Sequence, residues 1–337
     1  MNDKTVAGAS IAAPKQAPMR EYFMPGTLTF MKPELIETSP LQYPLMVNIE
    51  PTNHCNLKCY YCPREAMERE LGHMSWEMYT GIIDDSVQYG GIQVINYHKD
   101  GESLLHPRIC DMIRYAKEVG KVPITHFNTN ALKMPDKQIR ELIESGLDDL
   151  TFSIDAVKPE TFKAMKGVDG LARVEANTRR FAEIRREMKR TKPFLRAKII
   201  DCKESHDEVQ PFLEKWSQEL DEAYAQPINS FGGWLDIAPK GADHPCQSLW
   251  YTLAVNWDGS VNLCSDDFGG HEPVGHLKDQ TLRQIWVGER MNTFREMMME
   301  NRRKEMPICQ NCNRWEEGAN LKSWLERRGT PRIESRA

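Results

Sequence analysis

IEPTNHCNLKCYYC, residues 49–62, places three cysteines at the spacing C-x3-C-x2-C immediately after a short apolar run. Three thiolates on one short loop can hold three irons of a four-iron cluster and leave the fourth iron open to a ligand from outside the chain. The same soft donors also suit zinc, with His54 available as a fourth ligand. The two alternatives differ in what surrounds the loop, so the neighbouring sequence decides between them.

Outward from this loop, apolar runs alternate with helical patterns. Strands are expected at 45–50, 92–97, 122–128, 149–155, 195–201 and 222–227. Helices are expected between them, at 75–89, 107–119, 136–144, 170–189 and 207–220. Repeated β–α units at this spacing imply an α/β chain with a parallel sheet and right-handed crossovers. The natural form is a partial (β/α)6 TIM-like barrel, with chemistry at the C-terminal ends of its strands. The cysteine loop follows the first of those strands.

C-x3-C-x-aromatic-C after a first strand resembles the signature of the radical S-adenosylmethionine superfamily. That resemblance implies that Cys55, Cys59 and Cys62 hold a [4Fe–4S] cluster whose open iron takes the methionine part of S-adenosyl-L-methionine. Reductive cleavage of the cofactor then yields a radical that abstracts hydrogen, fed by a flavodoxin- or ferredoxin-like electron donor. Tyr61 stands at the aromatic position expected near the adenine. Gly101-Glu102, after the second strand, resembles the motif that meets the cofactor's amino group. Ser153, followed by Asp155 at the end of the fourth strand, resembles the ribose-holding position. Asn128 and Asn130 end the third strand facing the cofactor, and Arg196 or Lys198 is expected to meet its carboxylate.

The chain has nine cysteines. An odd count argues against a disulfide framework. Four of them form a second group: Cys246 and Cys264 flank a hairpin signal (253–256, Asp258-Gly259, 261–263), and Cys309-x2-Cys312 follows a helical stretch at 282–302. Four thiolates close a site, and spacing alone allows a zinc ribbon. Beside the first group, the pattern resembles the SPASM and twitch extensions of radical enzymes. With no cysteine after Cys312, it matches the shorter twitch form with one auxiliary [4Fe–4S] cluster. Aminocyclitol dehydrogenases and sugar epimerases of the family share related extensions. The expected organisation is an extension at 1–44, a barrel at 45–233, and an auxiliary-cluster module with tail at 234–337.

The remaining candidates have two readings each. Cys202, ending the fifth strand, is a buried small hydrophobe or the catalytic hydrogen donor that an epimerase needs. Cys110 reads as helix core. His98, Lys99 and Asp100 either reach substrate or support the Gly101–Glu102 turn. Asn229, Trp234 and Asp236 fall at the module junction, where a pocket is expected.

Composition narrows the class. The 44 Lys and Arg nearly balance the 49 Asp and Glu, for a net charge of −5. Such a surface does not suit a nucleic-acid or anionic-membrane partner. No signal-peptide pattern or membrane span is read, so a cytoplasmic location is expected. The expected activity is hydrogen abstraction from a small sugar- or aminocyclitol-like molecule, with oxidation or epimerisation. The alternatives are radical modification of a peptide or protein side chain, and a non-catalytic zinc-stabilised binding module.

Overall fold

A computed structural model describes residues 42–237 and 246–313. The expected features at 1–41 and 314–337, and the stretch 238–245, lie outside them. Nine strands form one sheet in the order β6-β5-β4-β3-β2-β1-β7-β8-β9. They are β1 (Met46–Ile49), β2 (Val94–Asn96), β3 (Ile124–Thr129), β4 (Asp149–Ser153), β5 (Phe194–Asp201), β6 (Glu222–Pro227), β7 (Thr252–Val255), β8 (Ser260–Asn262) and β9 (Pro273–His276). β1 to β6 pair in parallel with their sequence neighbours. The helices are α1 (Trp76–Val87), α2 (Ile109–Glu118), α3 (Asp136–Glu144), α4 (Pro159–Lys166), α5 (Leu171–Glu187), α6 (Val209–Glu219), α7 (Leu282–Trp286) and α8 (Glu289–Met299).

Three features depart from the expected layout. β7, the first strand of the hairpin, pairs in parallel with β1, Met46 beside Thr252 through Ile49 beside Val255. The barrel sheet therefore runs on into the C-terminal segment, and β8 and β9 continue it antiparallel. This continuity explains how a small polar segment gains a core: Leu253, Val255 and Val261 pack in the same buried cluster as β1. The helix expected at 282–302 breaks at Gly288, whose extended backbone (φ −67°, ψ 160°) caps α8. α4 is an addition to the expected helices, although Pro159 at its start and a left-handed Gly167 at its end are ordinary helix boundaries.

The strands alternate in character. Val47, Ile49, Ile95, Tyr97, Phe127, Leu150, Phe152, Leu195, Ala197 and Ile199 belong to the main apolar core. At ~25 cal/mol per Å² of apolar surface removed from water, this layer dominates the folding energy. The intervening residues Asn48, Asn96, His126, Asn128, Ser153 and Lys198 line an interior cavity. At the other end of the strands the interior is closed twice over. Leu45, Met46, Val94, Ile124 and Tyr251 form an apolar cluster, and Arg196 ion-pairs with Asp149 and Glu222.

Candidate active site

The cavity, of about 240 Å³, opens at the C-terminal ends of the strands and is lined by all three cysteines of the first group. Backbone hydrogen bonds shape the cysteine loop: Cys62 N donates to Cys59 O at 3.0 Å, and Tyr60 N to Met165 O at 3.1 Å. A buried polar knot fastens it to β4 and α4. Tyr61 Oη donates to Asp155 Oδ2 at 2.9 Å, and Lys166 Nζ donates to the same carboxylate at 2.5 Å and to Tyr61 Oη at 2.9 Å. Ser153 Oγ and the backbone N–H of Ile200 complete the shell of Asp155. Asp155 itself sits at φ 63°, so the strand end is bent to aim this carboxylate inward.

Glu102 occupies the opposite rim. Its N–H donates to His54 O at 2.8 Å, locking the turn onto the cysteine loop. Its carboxylate accepts from Thr129 Oγ1 at 2.9 Å and Asn130 N at 2.8 Å. Burial pushes its carboxyl above the usual range, against those donors. Gly101 is required by space: a Cβ there would lie 2.1 Å from Thr52 O. Next to it, Arg69 bridges Glu50 (2.9 Å, bidentate) and Asp100 (3.0 Å). Lys99 joins Asp100 and donates to Asp267 O at 3.0 Å. This charged chain ties the Gly101–Glu102 turn to the C-terminal segment.

Ser265 and Asp266, directly after Cys264, roof the same cavity. Asn229 Nδ2 donates to Asp266 Oδ1 at 2.9 Å. The turn after β6 is stitched to the last cysteine pair, with Ser230 N donating to Asn313 Oδ1 and Asn313 N to Ser230 Oγ, both at 3.1 Å.

Whether these residues fit iron–sulfur clusters and a sulfonium cofactor is tested by their donor chemistry. Burial pushes the Cys55 thiol up to about 11 and Cys62 up to about 12, each further raised by the charge of Cys59. Cys264 and Cys309 are raised by burial and by the charges of both Cys246 and Cys312, so the second four thiols share one locus. Grouped cysteine sulfurs on short loops are the soft donor set that iron–sulfur clusters use. Among the described residues, no three His, Cys, Asp or Glu side chains converge as a single metal ion needs. The Gly101 cradle and the buried Glu102 carboxylate suit a backbone-hugging ammonium. The residues fit.

The structure sorts the other candidates. Tyr61, Gly101, Glu102, Asn128, Asn130 and Ser153 all line the cavity. Asp155 does not; it is fully enclosed and anchors Tyr61 and Lys166 instead. Arg196 is corrected: it lies toward the start of β5, its guanidinium committed to Asp149 and Glu222, outside the cavity. Lys198, two residues on and on the same face, reaches the lining. Cys202 also falls outside the lining. Its sulfur accepts from Tyr60 Oη at 3.3 Å and packs with Cys59 and Cys62 around Tyr61, Met165 and Ile200. A hydrogen donor to substrate must face the cavity, so Cys202 is not placed for that role. Lys166 and Arg69 are absent from the candidates that the sequence suggests; the boundaries of α4 are the available signal for Lys166, and Arg69 carries none.

Residues 49–191 match the Radical SAM superfamily, and residues 246–313 match SPASM, an iron–sulfur cluster-binding domain. A tungsten-containing aldehyde ferredoxin oxidoreductase cofactor-modifying protein of Pyrococcus furiosus is 25% identical over 79% of this chain and 86% of its own length. An S-adenosyl-L-methionine-dependent 2-deoxy-scyllo-inosamine dehydrogenase of Niallia circulans is 23% identical over 80% of this chain and 92% of its own. Among solved structures, BtrN in complex with AdoMet and 2-DOIA superposes with a TM-score of 0.56 at 20% identity, covering 80% of this chain and 92% of that one. SuiB of Streptococcus suis bound to precursor peptide SuiA superposes at 0.62 with 15% identity, covering 88% and 76%. These neighbours establish the fold, a partial rather than closed barrel. The chain is a radical S-adenosylmethionine enzyme with a C-terminal SPASM-type domain, and it uses S-adenosyl-L-methionine and [4Fe–4S] clusters. No helix among the described residues is long and apolar enough to cross a membrane.

Proposed function

We propose that this radical S-adenosylmethionine enzyme takes a hydrogen atom from a small polyhydroxylated ring of the sugar or aminocyclitol class, leading to its oxidation. The observation that carries the reading is the inner wall of the cavity. Asn128 and Gln226 present their amides to it, while Asn48, Asn96, Asn130 and Asn229 complete its polar lining bonded within the protein. An amide offers a donor and an acceptor side by side, which complements hydroxyl groups better than it does charged or apolar ones. The dehydrogenase relative, whose name gives an aminocyclitol as its substrate, supports the same class.

The bound cofactor supplies the hydrogen-abstracting radical. The chain's own residues do the rest. Cys55, Cys59 and Cys62 would hold the catalytic cluster, with Tyr61, Gly101, Glu102, Asn130 and Ser153 around the cofactor. Cys246, Cys264, Cys309 and Cys312 would hold the auxiliary cluster, the acceptor of the second electron as the substrate radical loses a proton to give the ketone. Oxidation is favoured over epimerisation because Cys202, the candidate hydrogen donor, lies outside the lining. A flavodoxin- or ferredoxin-like protein would supply electrons.

The test is anaerobic turnover with ring-deuterated 2-deoxy-scyllo-inosamine, other deuterated cyclitols and, separately, peptides. Deuterium appearing in 5′-deoxyadenosine with a cyclitol, together with a ketone product, supports the proposal. Label transferred only from a peptide would replace it with side-chain modification.

A further inference from the structure

Three inward-facing tiers can be followed down the barrel, each two residues, or roughly 6.6 Å, from the next. The upper tier holds the candidate cofactor contacts Asn130 and Ser153. The lowest is a closed hydrogen-bonded ladder. Asn48 Nδ2 donates to Thr252 Oγ1 at 2.8 Å and Asn96 Nδ2 to Asn48 Oδ1 at 2.9 Å. His126 continues it, with Nδ1 3.0 Å from Asn96 Oδ1 and Nε2 3.4 Å from Thr151 Oγ1.

The middle tier differs. Asn96 pairs with His126 across β2 and β3, so two residues further on His98 and Asn128 are neighbours on the inner face. Both line the cavity. His98 Nδ1 is buried with no hydrogen-bond partner, and Asn128 Oδ1 meets no donor within hydrogen-bond geometry, although the His126 ring lies close enough to interact with it. Such atoms are costly when left unmatched, and a native fold seldom lines one cavity with two of them without a use. Burial, with Lys198 and Lys166 nearby, drives His98 down to about 3, so the imidazole is neutral across the physiological range. The same two lysines disfavour a cationic ligand group.

We propose that His98 and Asn128 form a substrate shelf that binds adjacent uncharged hydroxyl groups of the ring, below the cofactor and above the ladder. The inference rests on the proposed substrate class and narrows it: hydroxyls, not an ammonium, occupy this part of the cavity. His98 and Asn128, the latter expected from the sequence to face the cofactor, are specificity-determining residues here, each binding substrate through one unpaired atom.

The test uses cluster-loaded, S-adenosylmethionine-bound protein and two isosteric variants, His98→Phe and Asn128→Leu. Calorimetric titration with 2-deoxy-scyllo-inosamine should show affinity falling tenfold or more in each variant, while the affinity for S-adenosylmethionine changes less than threefold. Thermal melting without the cyclitol should leave both variants as stable as the wild type or more so, because each removes an unmatched polar atom. A variant that binds the cyclitol as well as the wild type overturns the shelf. So does a tenfold loss of cofactor affinity, or a melting point lowered by more than about 5 °C, which would mean that the pair is matched within the protein. A wild type that binds no cyclitol instead sinks the substrate class, and the melting comparison then decides alone whether the pair awaits a ligand.

Discussion

Gly101 and Thr52 touch backbone to backbone: a β-carbon on Gly101 would fall 2.1 Å from the Thr52 carbonyl oxygen. The two residues belong to different loops, one after β1 and one after β2, and their contact sets the gap between the cysteine loop and the Glu102 carboxylate. Gly101→Ala must push these loops apart. The expected result is a stability loss of at least the ~1–3 kcal/mol of ordinary overpacking, together with weakened cofactor binding. Thermal melting and equilibrium dialysis with labelled S-adenosylmethionine measure both.

Glu102 and Arg196 separate binding from folding. Glu102→Gln removes a buried negative charge facing the cavity, and a charge-assisted hydrogen bond is worth about 1.5–3 kcal/mol. Cofactor affinity should fall by roughly 10- to 150-fold. Arg196→Met instead strands the Asp149 and Glu222 carboxylates at the closed end of the barrel. It should cost ~3–5 kcal/mol of stability and leave the affinity of the folded fraction unchanged. An Arg196 variant that folds normally but loses the cofactor would restore the role that its position denies.

The two buried histidines His98 and His126 are both held far below their ordinary range, by burial first and nearby cations second. The unfolded chain takes up these protons as pH falls below about 6.5, and the folded chain does not. Stability is therefore present at neutral pH and is lost as pH drops, by ~2 kcal/mol per histidine at pH 5. Urea unfolding of anaerobic protein at pH 7.5 and 5.0 reads the difference. Equal midpoints would show that both imidazoles take up their protons in the folded state.

Cys202→Ala tests a negative. Both cysteine sets remain intact, so iron should stay at about eight atoms per chain. Turnover should persist, since the sulfur lies behind Tyr61 rather than in the cavity lining. Loss of product with continued cofactor cleavage would return Cys202 to catalysis.

Much of this architecture is legible in the amino-acid sequence. The alternation of Val47, Ile49, Ile95 and Phe127 with polar neighbours marks strands with one face in the apolar core and the other toward a polar interior, and the cysteine spacing marks the loop. What escapes is nonlocal. The pairing of β7 with β1 joins residues about two hundred positions apart, which no local pattern encodes. Arg196 and Lys198 share a face and a charge, and only depth along β5 distinguishes them. Asp155 reads as a cofactor contact because it follows Ser153 at the end of the fourth strand, the position that resembles a ribose-holding one. Its partner Lys166 arrives on α4, a short helix that only its bounding Pro159 and Gly167 mark in the sequence. The unmatched atoms of His98 and Asn128 become visible only when every neighbour's hydrogen bonds are counted.

The most direct measurement concerns the first cysteine loop alone. Protein carrying Cys309→Ala and Cys312→Ala, loaded anaerobically and reduced, should retain about four irons. With S-adenosylmethionine labelled at its amino nitrogen with ¹⁵N, electron–nuclear double resonance should show that nitrogen coupled to the cluster. A cluster formed with no such coupling, and a spectrum unmoved by the cofactor, would contradict the account.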